Sequence, residues 1–339
     1  MDTVPGQEAI VQPPKEETPD LRSPIERFRT PPKKALSVTD LVSPAWCELQ
    51  YWYTLTKHGR KKRTPAMKEG TRVHKVLEEQ VYTTVRVEVQ TREDAWGLRI
   101  WNVIQGLRTL RDTGQTRELE IWGIIDGMVI NGVIDELSYT CPDTDLEESL
   151  QKNRDEPPPD QTTIADFFKA AGAKSLEQAT KSKRQTHSQK VYLCDVKTRG
   201  GRSANTVDFS ILASRYNLDA TKVLSDEFIT QVGSLNDEVF YDAPAEPGSQ
   251  DSTLNGSQDS MSILLAHNTL NLLWSLMMTE FQLTLPDGAD SLGRILKAEY
   301  RSRDNGEIVG TKTLAMDDLE LTIFISREME WWKGERQAE

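Results

Sequence analysis

Cysteine is scarce in this chain: there are three, Cys47, Cys141 and Cys194, in 339 residues. None stands in a Cys-x-x-Cys pair and the count is odd. A disulfide framework is therefore not expected, and a reducing, intracellular compartment is. Long hydrophobic runs are missing as well. No stretch approaches the roughly 20 apolar residues that span a bilayer. The best candidate, Leu264 to Met278, is broken by His267, Asn268 and Asn271 and reads as part of a buried helix. No membrane partner is expected. Basic charge is in deficit, with 41 Lys and Arg against 53 Asp and Glu and a net charge of −12. That balance argues mildly against a nucleic-acid partner, but much of the acid sits in two polar stretches, so the total is a poor guide. Asp2, Glu8, Glu16, Glu17 and Asp20 make the start unlike an acid-poor mitochondrial transit peptide, and no secretory signal is visible.

What is present has a recognisable order. Residues 1–36 are rich in Pro, Glu and Lys without apolar periodicity and read as a disordered tail. Residues 37–339 then read as one domain with polar insertions at about 142–189 and 242–260. Ser37 to Asp40 offers helix caps ahead of an aromatic segment, Trp46 to Tyr53. Helices are expected near Pro65 to Val81, where Val73, Val76 and Leu77 share a face with the stem of His74, and near Ala95 to Thr109. A hairpin is expected from Ile121 to Tyr139, turning at Asn131-Gly132, because Asn-Gly between apolar runs is the strongest short hairpin cue. Val191 to Cys194 reads as a buried strand. A long helix from Met261 to Leu283, a second hairpin around Asp304-Asn305-Gly306, and an amphipathic helix from Asp317 to Gly334 complete the pattern. The alternation suits an α/β fold with a mixed sheet flanked by helices.

Four features carry possible chemistry. Asp195-Val196-Lys197 ends the apolar strand, and alternation puts Asp195 and Lys197 on one face. A carboxylate beside an ammonium there can hold a divalent cation and orient a water; the bland alternative is a surface ion pair. Asp135 lies in an apolar strand between Val133 and Leu137, where a carboxylate is costly unless paired or metal-bound; an outward edge-strand Asp is the alternative. His74 sits on a helix, where a satisfied structural histidine is the commoner case. The run Lys57-His58-Gly59-Arg60-Lys61-Lys62-Arg63 is either a solvated loop or a contact for nucleic-acid phosphates.

The order helix His, strand Asp, strand Asp-x-Lys resembles the RecB-like branch of the PD-(D/E)XK nucleases. More specifically, Ser37-Val38-Thr39-Asp40-Leu41 through Cys47-Glu48-Leu49-Gln50-Tyr51, then Gly132 to Leu137, Asp195 to Arg199 and Trp331-Trp332-Lys333-Gly334-Glu335-Arg336, look like the exonuclease V family. The resemblance covers nearly the whole chain beyond residue 36. It implies a PD-(D/E)XK core and a Mg²⁺- or Mn²⁺-dependent 5′ exonuclease for single-stranded DNA. It also implies a role in DNA repair or genome maintenance, in nucleus or mitochondrion, and a monomer. It gives Asp135, Asp195, the Val196 carbonyl and His74 to the metal and Lys197 to catalysis. Thr198 and Arg199 go to DNA; the basic run Arg60, Lys61, Lys62 and Arg63 is expected beside them as a DNA contact from its own charge.

Two departures from that family stand in the sequence. Its Asp-x-Lys-Thr-Arg strand is followed by a helix with Gln and Tyr one turn apart; here Arg199-Gly200-Gly201-Arg202-Ser203 runs into Ala204 to Phe209 without such a pair. The family also binds a 4Fe-4S cluster through one N-terminal cysteine, the position of Cys47, and three beyond the last helix, which this sequence does not contain. No cluster is expected on this chain. Besides the nuclease, a catalytically impaired DNA-binding remnant of the family and a CRISPR-adaptation-type RecB-like nuclease remain open from the sequence.

Overall fold

The computed structural model describes residues 20–59, 62, 64–79, 81, 83–155, 190–195, 208–235, 239–242, 258–302 and 306–338. The first helix, α1 (Pro24–Phe28), starts at a capping box in which the Ser23 hydroxyl accepts from the Glu26 amide and the Glu26 carboxylate accepts from the Ser23 amide. A two-residue strand β1 (Leu36–Ser37) leads into α2 (Val38–Val42), where the Ser37 amide and hydroxyl both donate to Asp40 Oδ2 at 3.0 Å. Next come α3 (Glu48–Tyr53), continued by one wide π-type turn to His58, then α4 (Pro65–Glu79), β2 (Thr83–Arg86) and α5 (Arg92–Thr113). A hairpin β3 (Gln115–Ile125) and β4 (Met128–Ser138) precedes α6 (Thr144–Asp155) and β5 (Val191–Asp195). The chain continues through α7 (Phe209–Tyr216), α8 (Asp226–Gly233), β6 (Val239–Asp242), α9 (Gln258–Ala266) and α10 (Leu270–Thr284). It closes with β7 (Leu292–Arg301), β8 (Ile308–Ala315) and α11 (Asp318–Lys333).

The central sheet is mixed. β4 pairs antiparallel with β3 on one edge; its other edge takes β1 in parallel and β5 antiparallel, and β7 and β8 follow. The β5–β7 pair is parallel and β7–β8 antiparallel. β2 and β6 form a separate parallel pair. The main core lies between the sheet and the long helices α5 and α10, with Trp101, Ile104, Leu107, Leu273, Trp274, Trp122 and Val191 buried in it. Glu280 of α10 locks these two helices by pairing with both Arg108 and Arg111 of α5. No helix among the described residues is long and apolar enough to cross a membrane.

Four expectations are corrected. The hairpin turns at Asp126-Gly127, with φ of 50° and 77°, where both central residues take the left-handed conformation a two-residue turn demands. Asn131-Gly132 lies mid-strand instead. A Cβ on Gly132 would stand 2.7 Å from Val38 Cγ2, so that glycine serves the close approach of α2. The apolar helix from Met261 is two helices, because Thr269 breaks out in extended conformation to cap α10 through Leu272 N. Residues 20–36, read as tail, belong to the fold: Pro24, Ala35 and Leu36 are buried. Residues 1–19 lie outside the described residues. Finally, Val73 and Leu77 are buried on α4 but Val76 is exposed. Of the two expected insertions, Thr144–Asp155 forms α6, while 156–189 and 243–257 lie outside the described residues.

A second core joins the two ends of the described chain. Phe28, Tyr51 and Trp52 from the first helices pack with Met329, Trp331 and Trp332 of α11. Beside it, Arg336 pairs with Glu48, and Glu328, only 3% exposed, approaches the same pair with its Oε2 lacking a hydrogen-bond partner. Burial, reinforced by the Glu48 charge, pushes the Glu328 carboxyl up from 4.5 to about 7. The folded protein thus keeps a proton that the unfolded chain has released above pH 4.5. Stability should fall as pH rises from about 4.5 to 7, by roughly 1.4 kcal/mol per pH unit and about 3 kcal/mol at most. Urea midpoints across that range check this. In Glu328→Gln the decline should flatten; an unchanged slope in that variant contradicts the assignment.

Candidate metal site

The candidate site is built on one row of the sheet. Hairpin register pairs Ile125 with Met128, Leu119 with Ile134 and Arg117 with Glu136, so position 118 stands level with Asp135. The β4–β5 ladder pairs Leu137 with Leu193 and Glu136 with Cys194; its next step brings position 135 level with Asp195, which pairs with Ala298 of β7. The row thus runs Glu118, Asp135, Asp195 across three neighbouring strands. Glu118 holds a left-handed backbone at φ 50° in mid-strand. For a non-glycine residue that conformation costs about 1–3 kcal/mol and concentrates at functional sites.

From α4, whose Val73 and Leu77 are buried, His74 reaches this row: its Nδ1 lies 3.1 Å from Glu118 Oε1. His74, Glu118 and Asp135 each offer a ligand atom, and these atoms lie within 4.8 Å of one another, all three residues being half-buried. The Glu118 and Asp135 carboxylates gathered so closely repel as anions, and a shared cation, to which the His74 imidazole can add a ring nitrogen, relieves that repulsion. The donor set fits a divalent ion such as Mg²⁺ or Mn²⁺, with the imidazole tilting the choice toward Mn²⁺. One residue away, Arg117 and Glu136 form a buried ion pair at 2.5 Å, which neutralises the next row.

His74, Asp135 and Glu118 therefore come together. Sequence reasoning missed Glu118 because it placed the turn at Asn131-Gly132. Counting back from Asp126-Gly127 would have set 118 opposite 135. Asp195 ends β5, and its backbone lies on the same row. Val196, Lys197, Thr198 and Arg199 lie outside the described residues, as do Arg60, Lys61 and Arg63. Lys62 is exposed, and Lys57 sits 4.7 Å over the Tyr53 ring.

The cysteines do not fit an iron–sulfur cluster, which needs four thiolates. Cys47 is exposed at the start of α3, Cys141 half-buried and Cys194 buried in β5. Burial raises the Cys141 thiol, and burial with the nearby Glu136 charge pushes Cys194 up to about 12, so both stay protonated at neutral pH.

A mixed sheet flanked by helices, with a His–Glu–Asp constellation drawn from one helix and two neighbouring strands, defines an α/β protein with a candidate divalent-cation centre. The family model for exonuclease V, described as a 5′ deoxyribonuclease, matches residues 23–205 and 201–339, and the chain belongs to that family. Exonuclease V of Danio rerio is 35% identical over 120 residues, which make up 34% of this chain and 30% of that relative. The aligned stretch thus spans about a third of the relative's length.

Proposed function

We propose that this chain is a Mg²⁺- or Mn²⁺-dependent nuclease that hydrolyses phosphodiester bonds of single-stranded DNA from an end, 5′ by family. The observation that carries the reading is the meeting of His74, Glu118 and Asp135 in a member of the exonuclease V family. A divalent cation bound there supplies Lewis acidity toward the scissile phosphate and lowers the pKa of a water. Asp135 and Glu118 provide anionic oxygens, Asp195 and the Val196 carbonyl complete the oxygen set, and His74 adds its ring nitrogen. Lys197 orients the attacking water and offsets charge that develops on the phosphate. Thr198 and Arg199 hold the neighbouring phosphate, and Arg60, Lys61, Lys62 and Arg63 draw in the backbone. The core is of the PD-(D/E)XK type in this reading, the protein is monomeric, and its work belongs to genome maintenance in nucleus or mitochondrion.

The test is incubation of the purified chain with end-labelled single-stranded DNA. Degradation is expected with Mg²⁺ or Mn²⁺ and none with excess chelator. Degradation that survives chelation would refute the metal-dependent reading. Because no Gln-x-x-x-Tyr helix follows Arg199, a second reading is a family member that binds DNA without cutting it. Retained binding with no cleavage under either metal would select it.

A further inference from the structure

The carboxylate row does not stop at Asp195. Its next two members are Ala298 on β7 and Lys312 on the edge strand β8. At roughly 4.8 Å per strand, the Lys312 backbone lies about 10 Å from that of Asp195. Lys312 is exposed and forms no ion pair with any described residue. Two residues beyond Ala298, and therefore on the same face, stands Tyr300, 46% exposed. Tyr300 pairs with Gly310, and the space where a Gly310 Cβ would sit has no neighbour within 4 Å. The surface above Gly310 is thus open, and an exposed aromatic ring and an ammonium without an ion-pair partner among the described residues stand beside it.

We propose that this edge of the sheet is a nucleotide subsite next to the cation centre, in which Tyr300 stacks on an unpaired base and Lys312 contacts the adjoining phosphate. The inference rests on the single-stranded DNA reading above and deepens it. Stacking needs an exposed ring with room beside it, which tolerates any base and excludes a paired one. The phosphate contact needs a cation free of other partners. Small residues between the carboxylate row and Lys312 let the strand pass without obstruction. An acidic molecule with net charge −12 can hold a polyanion only where local cations such as this one stand clear of the acids.

The test measures binding, with chelator present so that nothing is cut, of a fluorescent oligothymidylate about 16 nucleotides long to the full chain over a salt series. Tyr300→Ala should weaken binding about tenfold, at the low end of what one stacked base contributes, with the salt slope unchanged. Tyr300→Phe should restore it. Lys312→Gln should lower the slope of log K against log salt by about 0.7, the value for one phosphate contact to a single strand, and Lys312→Arg should keep it. Both side chains are exposed, so thermal midpoints should match wild type. If wild type binds and the Tyr300→Ala and Lys312→Gln variants bind as tightly with the same slope, the subsite is overturned and the nuclease reading stands. If wild type binds no oligothymidylate, both fall together.

Discussion

Asp135→Asn should cut metal-dependent DNA hydrolysis by about a thousandfold or more while leaving the fold intact. The substitution keeps the size and shape of the side chain and removes the negative charge at the centre of the row. The metal's charge stabilisation of a phosphoryl transition state is worth several kcal/mol, and each 1.36 kcal/mol is a factor of ten in rate. Asp135 stands beside Glu118 on its row and shares the candidate site with it and His74, so its loss removes one of the two described carboxylates there. Glu118→Gln should cost less, about 10- to 100-fold, because His74 and Asp135 still offer ligands and Glu118 also orients the imidazole at 3.1 Å. Calorimetric titration with Mn²⁺ gives a readout independent of turnover: affinity should drop in both variants and more in Asp135→Asn. Wild-type cleavage by Asp135→Asn in the presence of metal would remove the site from the mechanism.

Trp332→Ala should destabilise the protein by about 4 kcal/mol, in the range for truncating a fully buried tryptophan. Its ring is completely buried, lies 5.0 Å from that of Trp331 and 6.1 Å from that of Tyr51, and has the Arg29 guanidinium 5.3 Å over it. Its Nε1 donates to the Asp40 carbonyl at 3.4 Å. Asp40 in turn accepts from Arg29 Nε and Nη2 and from the Tyr51 hydroxyl at 2.7 Å, and burial that would raise its carboxyl is outweighed by these donors, which hold it below the ordinary value. Truncation opens a cavity beside a buried charged cluster, so collapse cannot fill it cheaply. A urea titration reads the loss as a shifted midpoint at constant m-value. A shift equivalent to under 1 kcal/mol would mean that the cluster relaxes around the gap.

Much of this architecture is legible in the sequence where local chemistry decides. Ser37 and Asp40, Asp317 and Gly334 mark helix ends because their side chains or backbone freedom satisfy orphan groups there. β7 and β8 pair antiparallel on either side of the expected Asp304-Asn305-Gly306, of which Asp304 and Asn305 lie outside the described residues. Legibility fails where two local signals compete. Asp126-Gly127 and Asn131-Gly132 are both turn dipeptides within eleven residues of Ile121; the chain turns at the first, and the second stays in the strand with Val38 packed against Gly132. That single choice fixes the register and hence whether Glu118 can be seen as a partner of Asp135. The helix expected from Met261 to Leu283 shows the opposite fault. Its apolar content is continuous enough to hide the cap at Thr269, although His267 and Asn268 break the run. The first described segment was hidden by composition: Pro24 and the capping box of α1 are local devices in an otherwise polar stretch, and α11 packs against that helix.

The junction of the two chain ends has a consequence for synthesis. Asp40 and Trp332 are separated by 292 residues in sequence, and Trp52 meets its partner Trp331 at 6.4 Å only once α11 exists. At about 5–20 residues per second, the aromatic face of the first helices emerges from the ribosome roughly 15–60 s before the helix that covers it. During that interval Phe28, Tyr51 and Trp52 have one another but lack their partners on α11, while α5, β3 and β4 can already pair through local contacts. The core between the first helices and α11 can therefore close only after α11 has been made. Nascent chains stalled before Trp331 should present these rings to chaperones and to proteases, and those released after it should not.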